Sequence, residues 1–288
     1  MPAKVTIICL CFNHAQFVKE AMESVLQQSY PCELIVIDDA SADNSVLQIE
    51  EVKSLYPHKD IKTIFLKENQ GNCKAFNMGL KITDADYIID LAADDILLPE
   101  RVGEGVKSME LDKEIAVNFT NANYIDAKGN LLNEHYPADK FGRALEKPPE
   151  GEVFHDILAH YFICSTSMMY RASFLKKLGG YDEDLAYEDF DIKLGLSRNH
   201  PFSYTDQILV EKRRLKSAMS AKQYQRNNAQ LASTLLICKK ALGMIESKKE
   251  KIALQKRILY EGKQAFIHKR FLLFTAFVNL VFKLILRR

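Results

Sequence analysis

The first hundred residues alternate between short apolar runs and segments with helical spacing. The apolar runs are mostly rich in β-branched residues and cover Val5 to Phe12, Cys32 to Ile37, Ile61 to Leu66 and Tyr87 to Leu91. Between them, apolar residues recur three or four positions apart, which predicts amphipathic helices. This alternation predicts an α/β fold of parallel strands with helices on both faces, and with active groups at the strands' carboxyl ends.

The middle of the chain departs from this alternation. Ile115 to Phe119 and Ser165 to Tyr170 predict two further strands, and Ala127-Lys128-Gly129-Asn130 predicts a hairpin turn between strands. Residues 137 to 152 indicate a loop over the working edge of the sheet, because they include Pro137, Pro148, Pro149 and Gly151. Two more helices are predicted, at Ala172 to Leu178 and at Asp189 to Arg198.

From about residue 221 the pattern is helical only. Phe271 to Arg288 is apolar, but Asn279 and Lys283 interrupt it, whereas a spanning helix needs about 20 consecutive apolar residues. Basic residues flank the segment at His268-Lys269-Arg270 and Arg287-Arg288, which favours a helix lying on an anionic membrane surface. The alternative is a helix packed on the domain or on a second subunit, so a homo-oligomer stays open.

The two parts of the chain carry opposite charge. Residues 1 to 210 contain 20 basic and 34 acidic side chains, whereas residues 211 to 288 contain 19 and 4. A tail this basic suits nucleic acid, anionic lipid or the acidic body of its own protein. Because Phe and Leu dominate its final turns, we expect lipid and no nucleic acid.

The six cysteines form no CxxC pair, and several fall in apolar strand-like runs. We interpret them as free thiols in a reducing compartment, which argues against a zinc site. The N-terminal residues lack the regions of a secretory signal. We therefore expect a cytoplasmic protein, peripheral on the inner face of the cell membrane.

Acidic residues cluster at three places, namely Asp38-Asp39, Asp94-Asp95 and Glu188-Asp189-x-Asp191. Any one of them is explained by carboxylates at a helix N-terminus, where the macrodipole favours them. Two of the clusters, however, follow predicted strands. Together they predict sites for a nucleotide and its metal, with the third cluster left to remove a proton.

Five ordered segments resemble the motifs of family 2 glycosyltransferases over about residues 4 to 215. They are Leu10 to Asn13, Ile37 to Asp43, Asn69 to Gly79, Ala92 to Pro99 and Gly180 to Asp191. Their order and spacing are more specific than any single motif.

The resemblance implies a GT-A fold, Rossmann-like and mostly parallel, at residues 1–215, followed by a basic α-helical extension at 216–288. It implies an inverting enzyme that uses Mn²⁺ or Mg²⁺ to transfer a sugar from a nucleotide diphosphate sugar. The donor is commonly a uridine diphosphate sugar, and the acceptor is a hydroxyl of a glycan or of a lipid-linked molecule.

By matching position, the resemblance also implies a role for individual residues. Phe12, Asn13 and Ala93 border the nucleotide, Asp39 binds the base, and Lys74 faces the base or the phosphates. Asp94 coordinates the metal with support from Asp95. Asp189 is the base that removes the acceptor proton, and Glu188 stands beside it. Arg213 and Arg214, with Lys216, occupy the place of diphosphate ligands, although a solvated start to the basic tail explains them equally well.

The chain departs from the family pattern at three positions. The metal motif usually reads Asp-Ala-Asp-Asp, and its first position here is Ala92, for which Asp90 is a weak substitute. Phe12 lacks the usual tyrosine hydroxyl, and Phe76 replaces an arginine. His14 is interpreted as a helix cap or surface residue.

These departures leave a second hypothesis open, a non-catalytic scaffold or nucleotide-binding protein with the same fold. A dinucleotide oxidoreductase is disfavoured, because no GxGxxG follows the first strand.

Overall fold

The computed structural model describes residues 2–215, 224–225 and 228–287. Its strands are β1 (Val5–Cys11), β2 (Glu33–Asp38), β3 (Ile61–Phe65), β4 (Tyr87–Ala92), β5 (Ile96–Leu97), β6 (Val117–Ile125), β7 (Leu131–Glu134), β8 (Met169–Arg171) and β9 (Phe202–Arg213). Its helices are α1 (Val18–Leu26), α2 (Ser45–Leu55), α3 (Asn72–Ile82), α4 (Arg101–Glu110), α5 (Phe154–Ala159), α6 (Ala172–Lys177), α7 (Asp189–Ser197), α8 (Gln230–Met244), α9 (Lys248–Ile267) and α10 (Phe271–Leu286).

The strands of the described residues form one mixed sheet in the order β3-β2-β1-β4-β8-β6-β9-β5, with β7 paired to β6. In the first half, β1 pairs in parallel with β2 and β4, and β2 pairs in parallel with β3. Every residue of β1 is buried, as expected of a strand covered by helices on both faces. The four predicted strands and the parallel arrangement are confirmed.

The second half of the sheet is mixed. Strand β8 lies antiparallel between β4 and β6, and β9 runs parallel to β6. The predicted strand at Ser165 to Tyr170 is wrong in its first part, because Ser165–Ser167 forms a 3-10 turn and the strand begins at Met169. The Ser167 hydroxyl donates to the Cys164 carbonyl at 2.8 Å, a local bond that competes with strand pairing.

Strand β9 was not predicted, because only Ile208-Leu209-Val210 forms an apolar run within its polar sequence. The hairpin between β6 and β7 is confirmed, and Gly129 takes a φ of 83° in its turn. The cysteines of the described residues are all free thiols, as expected.

The C-terminal helices pack on the same core as the sheet. Leu231, Leu254 and Phe277, from α8, α9 and α10, belong to one buried cluster with Ile8 of β1. A division at residue 215 therefore does not separate two hydrophobic cores, and the domain boundary stays a prediction. Along the described ranges, none of the helices combines the length and apolar content needed to span a bilayer.

Candidate active site

Two loops at the carboxyl edge of the sheet are tied together by Asp39, the residue expected to bind the base. The carboxylate is buried and accepts the backbone N–H groups of Gln70 at 2.6 Å and Gly71 at 2.9 Å. Gly71 has a φ of 85°, which a glycine adopts without strain. Since a carboxylate offers about four acceptor positions, Asp39 keeps capacity for a further donor.

Phe12 and Asn13 extend from the end of β1 into the same edge. Asn13 takes a φ of 57°, and its side-chain oxygen accepts the N–H of Ala42 at 2.8 Å. Its own N–H donates to the Ser41 hydroxyl at 2.8 Å, and that hydroxyl in turn donates to Asp38 at 2.6 Å. The loop is thus held rigidly while the ring of Phe12, 45% exposed, stays open for stacking.

Asp95 is turned into the protein and fully engaged there. Its carboxylate is 3% exposed and accepts the Thr166 hydroxyl at 2.6 Å and the backbone N–H of Arg213 at 2.8 Å. Burial, with a smaller effect from Asp94, raises the pKa of Asp95 to about 6. Ala93, two residues before Asp95, is buried and donates its N–H to the Leu10 carbonyl at 2.9 Å. These contacts favour a supporting role for Asp95 over direct metal binding.

Asp94 faces the imidazole of His14, with 3.8 Å between its Oδ1 and the Nδ1 of the ring. Burial raises the pKa of Asp94, although the charges of Lys212 and Arg213 oppose the shift. Burial lowers the pKa of His14, so the imidazole is neutral at pH 7. Asp94 is therefore the carboxylate of this motif that is placed to meet a ligand.

The third acidic cluster begins α7. Asp189 accepts a short hydrogen bond from the Ser165 hydroxyl and another from the Lys193 ammonium at 3.3 Å. Burial alone would raise its pKa, but Lys193 and the Ser165 hydroxyl hold the pKa of Asp189 below its usual value. Glu188 accepts the Asn72 amide at 2.8 Å, and burial, followed by the charge of Asp189, raises its pKa to about 7. The pair thus combines an ionised carboxylate with one that titrates near neutrality.

One short turn joins the two acidic motifs. Ser165 and Thr166 are adjacent in the 3-10 turn, and they donate to Asp189 and to Asp95 respectively. The motif that follows β4 and the start of α7 therefore contact the same turn, and the region between them is the candidate cleft. The turn was not predicted from the sequence, because residues 165 to 167 were assigned to the start of a strand.

Lys212 on β9 is a residue of the cleft that the sequence analysis missed. It pairs with Tyr124 of β6, on the opposite face of the strand from the Arg213 side chain. Burial alone would lower its pKa, but Cys164, Asp95 and other acidic neighbours hold the pKa of Lys212 above its usual value. The only available signal was its position beside two arginines in an unrecognised strand.

The basic residues that the sequence predicted as nucleotide ligands are less well placed to bind a diphosphate. The guanidinium of Arg213 is 2% exposed and donates to the Asp94 carbonyl at 3.0 Å, the Asp126 carbonyl at 3.0 Å and Glu20 at 2.6 Å. Arg213 therefore holds the loop after β4, and these three bonds leave it poorly placed to bind a diphosphate.

Arg214 is exposed and stacks 3.7 Å over the ring of Tyr124. Lys74 is exposed on the first turns of α3, and Lys216 lies outside the described residues. Asp90 accepts the Tyr181 hydroxyl at 2.9 Å, and Asp191 pairs with Lys240 at 2.9 Å. These contacts engage both carboxylates with other partners and do not bring either of them to Asp94.

The residues of this edge fit a divalent cation held jointly with a ligand. The described ranges contain no group of three His, Cys, Asp or Glu side chains arranged as a complete metal site. Mg²⁺ and Mn²⁺, however, are commonly held by one or two protein groups together with substrate phosphates. Asp94, beside the buried Nδ1 of His14 that has no hydrogen-bond partner in the described structure, offers such a partial site.

The fold and the cleft define a GT-A type glycosyltransferase. The sequence profile of glycosyl transferase family 2 matches residues 6–179, more than half of the chain. The chain belongs to this family, and the resemblance noted from the sequence is confirmed.

Proteins similar in sequence to this chain are described as glycosyltransferases or as a chondroitin synthase. An uncharacterized glycosyltransferase of Methanocaldococcus jannaschii is 29% identical over 73% of this chain and 70% of its own length. One of Rickettsia conorii is also 29% identical, over 78% of this chain and 36% of its own. The chondroitin synthase of Escherichia coli is 27% identical over 71% of this chain and 28% of its own. The chain thus spans about a third of the length of the last two relatives.

Solved structures share the fold at low identity. The S. aureus TarS fragment 1-349 in complex with UDP-GlcNAc has a TM-score of 0.71 and 19% identity, over 91% of this chain and 72% of that one. The mannosyltransferase PcManGT from Pyrobaculum calidifontis, in complex with GDP-Man and Mn²⁺, has a TM-score of 0.66 and 13% identity, over 97% and 74%. At these identities the likeness establishes the fold alone.

Proposed function

We propose that this protein is an inverting glycosyltransferase that moves a sugar from a uridine diphosphate sugar to a hydroxyl of a glycan or lipid-linked acceptor. The observation that carries the proposal is the 3-10 turn that binds both Asp95 and Asp189. It places an ionised carboxylate beside the motif at which nucleotide diphosphates are expected. The UDP-GlcNAc bound by TarS supports the donor class.

In the proposed reaction, the acceptor oxygen forms a bond to the anomeric carbon as the bond to the diphosphate breaks. Asp189 takes the proton of the attacking hydroxyl, which requires an approach to about 3 Å. The hydroxyl attacks from the face opposite the nucleotide, so the configuration inverts. Lys193 and Ser165 hold the Asp189 carboxylate ionised and fix its direction.

The donor is proposed to bind along the edge formed by β1, β2 and β4. Phe12 stacks on the base, Asp39 accepts its ring N–H, and Asp94 holds Mn²⁺ or Mg²⁺. The cation, when bound, offsets the charge that develops on the leaving diphosphate. Lys212 adds a fixed positive charge beside the same cleft.

A thermal-shift screen of nucleotide sugars with Mn²⁺ tests the donor assignment, because a ligand that binds the folded state raises the melting temperature. We expect a shift with a uridine diphosphate sugar that Asp94→Ala abolishes. An unchanged shift in Asp94→Ala would contradict the metal assignment. Binding without turnover in the wild type would favour the scaffold hypothesis.

We also propose that the C-terminal helices attach the enzyme to an anionic membrane surface, on the cytoplasmic side. Helix α10 packs through Phe277, Leu280 and Leu284. On its other face, Leu272 is 88% exposed and Phe282 is 60% exposed. Exposed apolar side chains in a basic segment match the chemistry of an anionic lipid interface.

Flotation with vesicles of anionic lipid tests this attachment. Leu272→Glu combined with Phe282→Glu is expected to abolish binding to the vesicles. Leu111→Glu is a matched control, because Leu111 is 84% exposed but follows α4. Equal flotation of the wild type and the double variant would contradict the assignment and favour an interface between subunits.

A further inference from the structure

The imidazole of His14 is held in a fixed place between β1 and α1. Its backbone N–H donates to the Ser45 hydroxyl at 3.0 Å, and its carbonyl accepts the N–H groups of Phe17 and Val18 at 2.9 Å each. The ring packs edge-on against Phe17, with 6.3 Å between the ring centroids. The direction of the ring is therefore set by the loop and is not that of a free surface side chain.

The Nδ1 atom of this ring is buried, and no hydrogen-bond partner for it lies in the described part of the chain. Buried polar atoms are nearly always hydrogen-bonded, so an orphaned atom calls for an explanation. The nearest carboxylate oxygen, Oδ1 of Asp94, is 3.8 Å away, which is too far for a hydrogen bond. A histidine cap would have its nitrogen bonded to the protein, so the expected capping role does not account for this position.

The gap between the two atoms suits a shared cation. Bonds from a divalent metal to an imidazole nitrogen and to a carboxylate oxygen are each about 2.1 Å. Adjacent ligands of an octahedral ion are about 3.0 Å apart at this bond length, so a small approach of the two side chains from 3.8 Å would let both bind one cation.

We propose that His14 Nδ1 and Asp94 together hold the divalent cation. This inference rests on the proposed function, because the remaining metal positions are left to diphosphate oxygens and water. An imidazole ligand is softer than a carboxylate and favours Mn²⁺ over Mg²⁺ along the usual affinity order. His14 is thus a metal ligand outside the aspartate motif.

Binding of Mn²⁺ in the presence of UDP, followed by the loss of the free Mn²⁺ EPR signal, measures the site without any turnover. We expect His14→Gln to weaken Mn²⁺ binding tenfold or more, since loss of even an outer-shell partner costs about 10–100-fold. His200→Gln is the matched control. Nδ1 of His200 is also orphaned, 3.9 Å from Glu114, but its ring stacks on Phe174 away from the cleft.

A spectroscopic signature and a rescue separate ligation from damage to the fold. Pulsed EPR of the bound Mn²⁺ is expected to show coupling to a directly bound nitrogen in the wild type and none in His14→Gln. His14→Asp is expected to restore Mn²⁺ binding without the nitrogen coupling.

Equal Mn²⁺ affinity in the wild type and His14→Gln, or nitrogen coupling that persists in the variant, would overturn the assignment of His14. Absence of Mn²⁺ and UDP binding in the wild type would instead contradict the proposed function itself. Weakening by His200→Gln to the same degree would show that the loss is not specific to this site and would also overturn the assignment.

Discussion

The two halves of the sheet contribute different parts of the cleft. In the parallel half, Asp39 directly follows β2 and Asp94 lies two residues after β4, so their position depends on local sequence and on the crossover rule. In the mixed half, Asp189 reaches the cleft through Ser165, and Lys212 reaches it through the pairing of β9 with β6. The donor side is thus built from local motifs, and the proton-accepting side is assembled from distant segments.

The largest effect is expected at Asp189, which belongs to the mixed half. Asp189→Asn removes the proton acceptor while keeping the size of the side chain, so transfer is expected to fall about 10²–10⁴-fold. Donor affinity is expected to stay within about twofold, because the donor side is built separately. Steady-state rates together with calorimetric titration of UDP measure both. Comparable turnover in Asp189→Asn and the wild type would contradict the assignment of the proton acceptor to the mixed half.

The next largest effect is expected at Lys212, a basic residue of the mixed half that is proposed to interact with the donor phosphates. Lys212→Met is expected to weaken UDP binding about 10–150-fold, because a hydrogen bond to a charged group contributes roughly 1.5–3 kcal/mol. Uridine, which has no phosphate, is expected to bind both proteins equally. Lys128→Met, in the exposed hairpin turn, is the control for removal of one lysine. Equal UDP affinity in Lys212→Met would remove this residue from the donor site.

Thr166 tests the turn that joins the halves. Thr166→Val keeps the shape of the side chain but leaves one oxygen of Asp95 without its buried donor. We expect the free energy of unfolding to fall by about 1–3 kcal/mol, as for other buried polar groups that lose a partner. Urea denaturation measures the change. If the free energy of unfolding falls no more than in a variant of an exposed threonine, such as Thr275→Val, the hydrogen bond from Thr166 contributes little to stability.

The smallest effect is a pH dependence that arises from Glu188. Its pKa is raised from 4.5 to about 7 in the folded protein, so the folded state binds more protons than the unfolded state between these values. The contribution of Glu188 to stability is therefore present at low pH and is lost as the pH rises from 4.5 toward 7.

Urea denaturation at pH 5 and pH 8 measures this dependence against Glu188→Gln. The difference in the free energy of unfolding between the two pH values is expected to be smaller in the variant. Asp95 titrates in the same direction in both proteins, whereas the pKa of Asp90, which burial and then the charge of Glu188 raise, is raised less in the variant. The comparison therefore reports Glu188 together with its effect on Asp90. An identical pH dependence in the two proteins would mean that the Glu188 carboxyl is not held protonated by its surroundings.

The position of Asp94 could be predicted from the sequence more directly than the positions of Asp189 and Lys212, for a physical reason. Asp94 ends an apolar run, and its place at the sheet edge follows from strand order alone. The acidic cluster that contains Asp189 was expected to remove a proton, but Asp189 itself was chosen within the cluster by resemblance to the family motifs. Lys212 and Ser165 were missed, because their roles come from pairing between residues distant along the chain, which periodicity does not record.

For Arg213, the sequence suggested a ligand-binding role that its contacts in the structure do not favour. Its residue type and position favoured a phosphate ligand, but three protein acceptors engage its guanidinium. His14 was interpreted as a cap or surface residue, and the orphaned Nδ1 became apparent only with the ring in place. In both cases the hydrogen-bond partners, which a sequence does not show, decide what the side chain does.

A crystal structure of the protein with UDP and Mn²⁺ tests the central claim most directly, because it locates both sides of the cleft around one ligand. We predict the cation at Asp94, between the diphosphate and His14, with the Asp189 carboxylate facing the same diphosphate. A nucleotide bound elsewhere, or an Asp189 carboxylate directed away from it, would contradict the account.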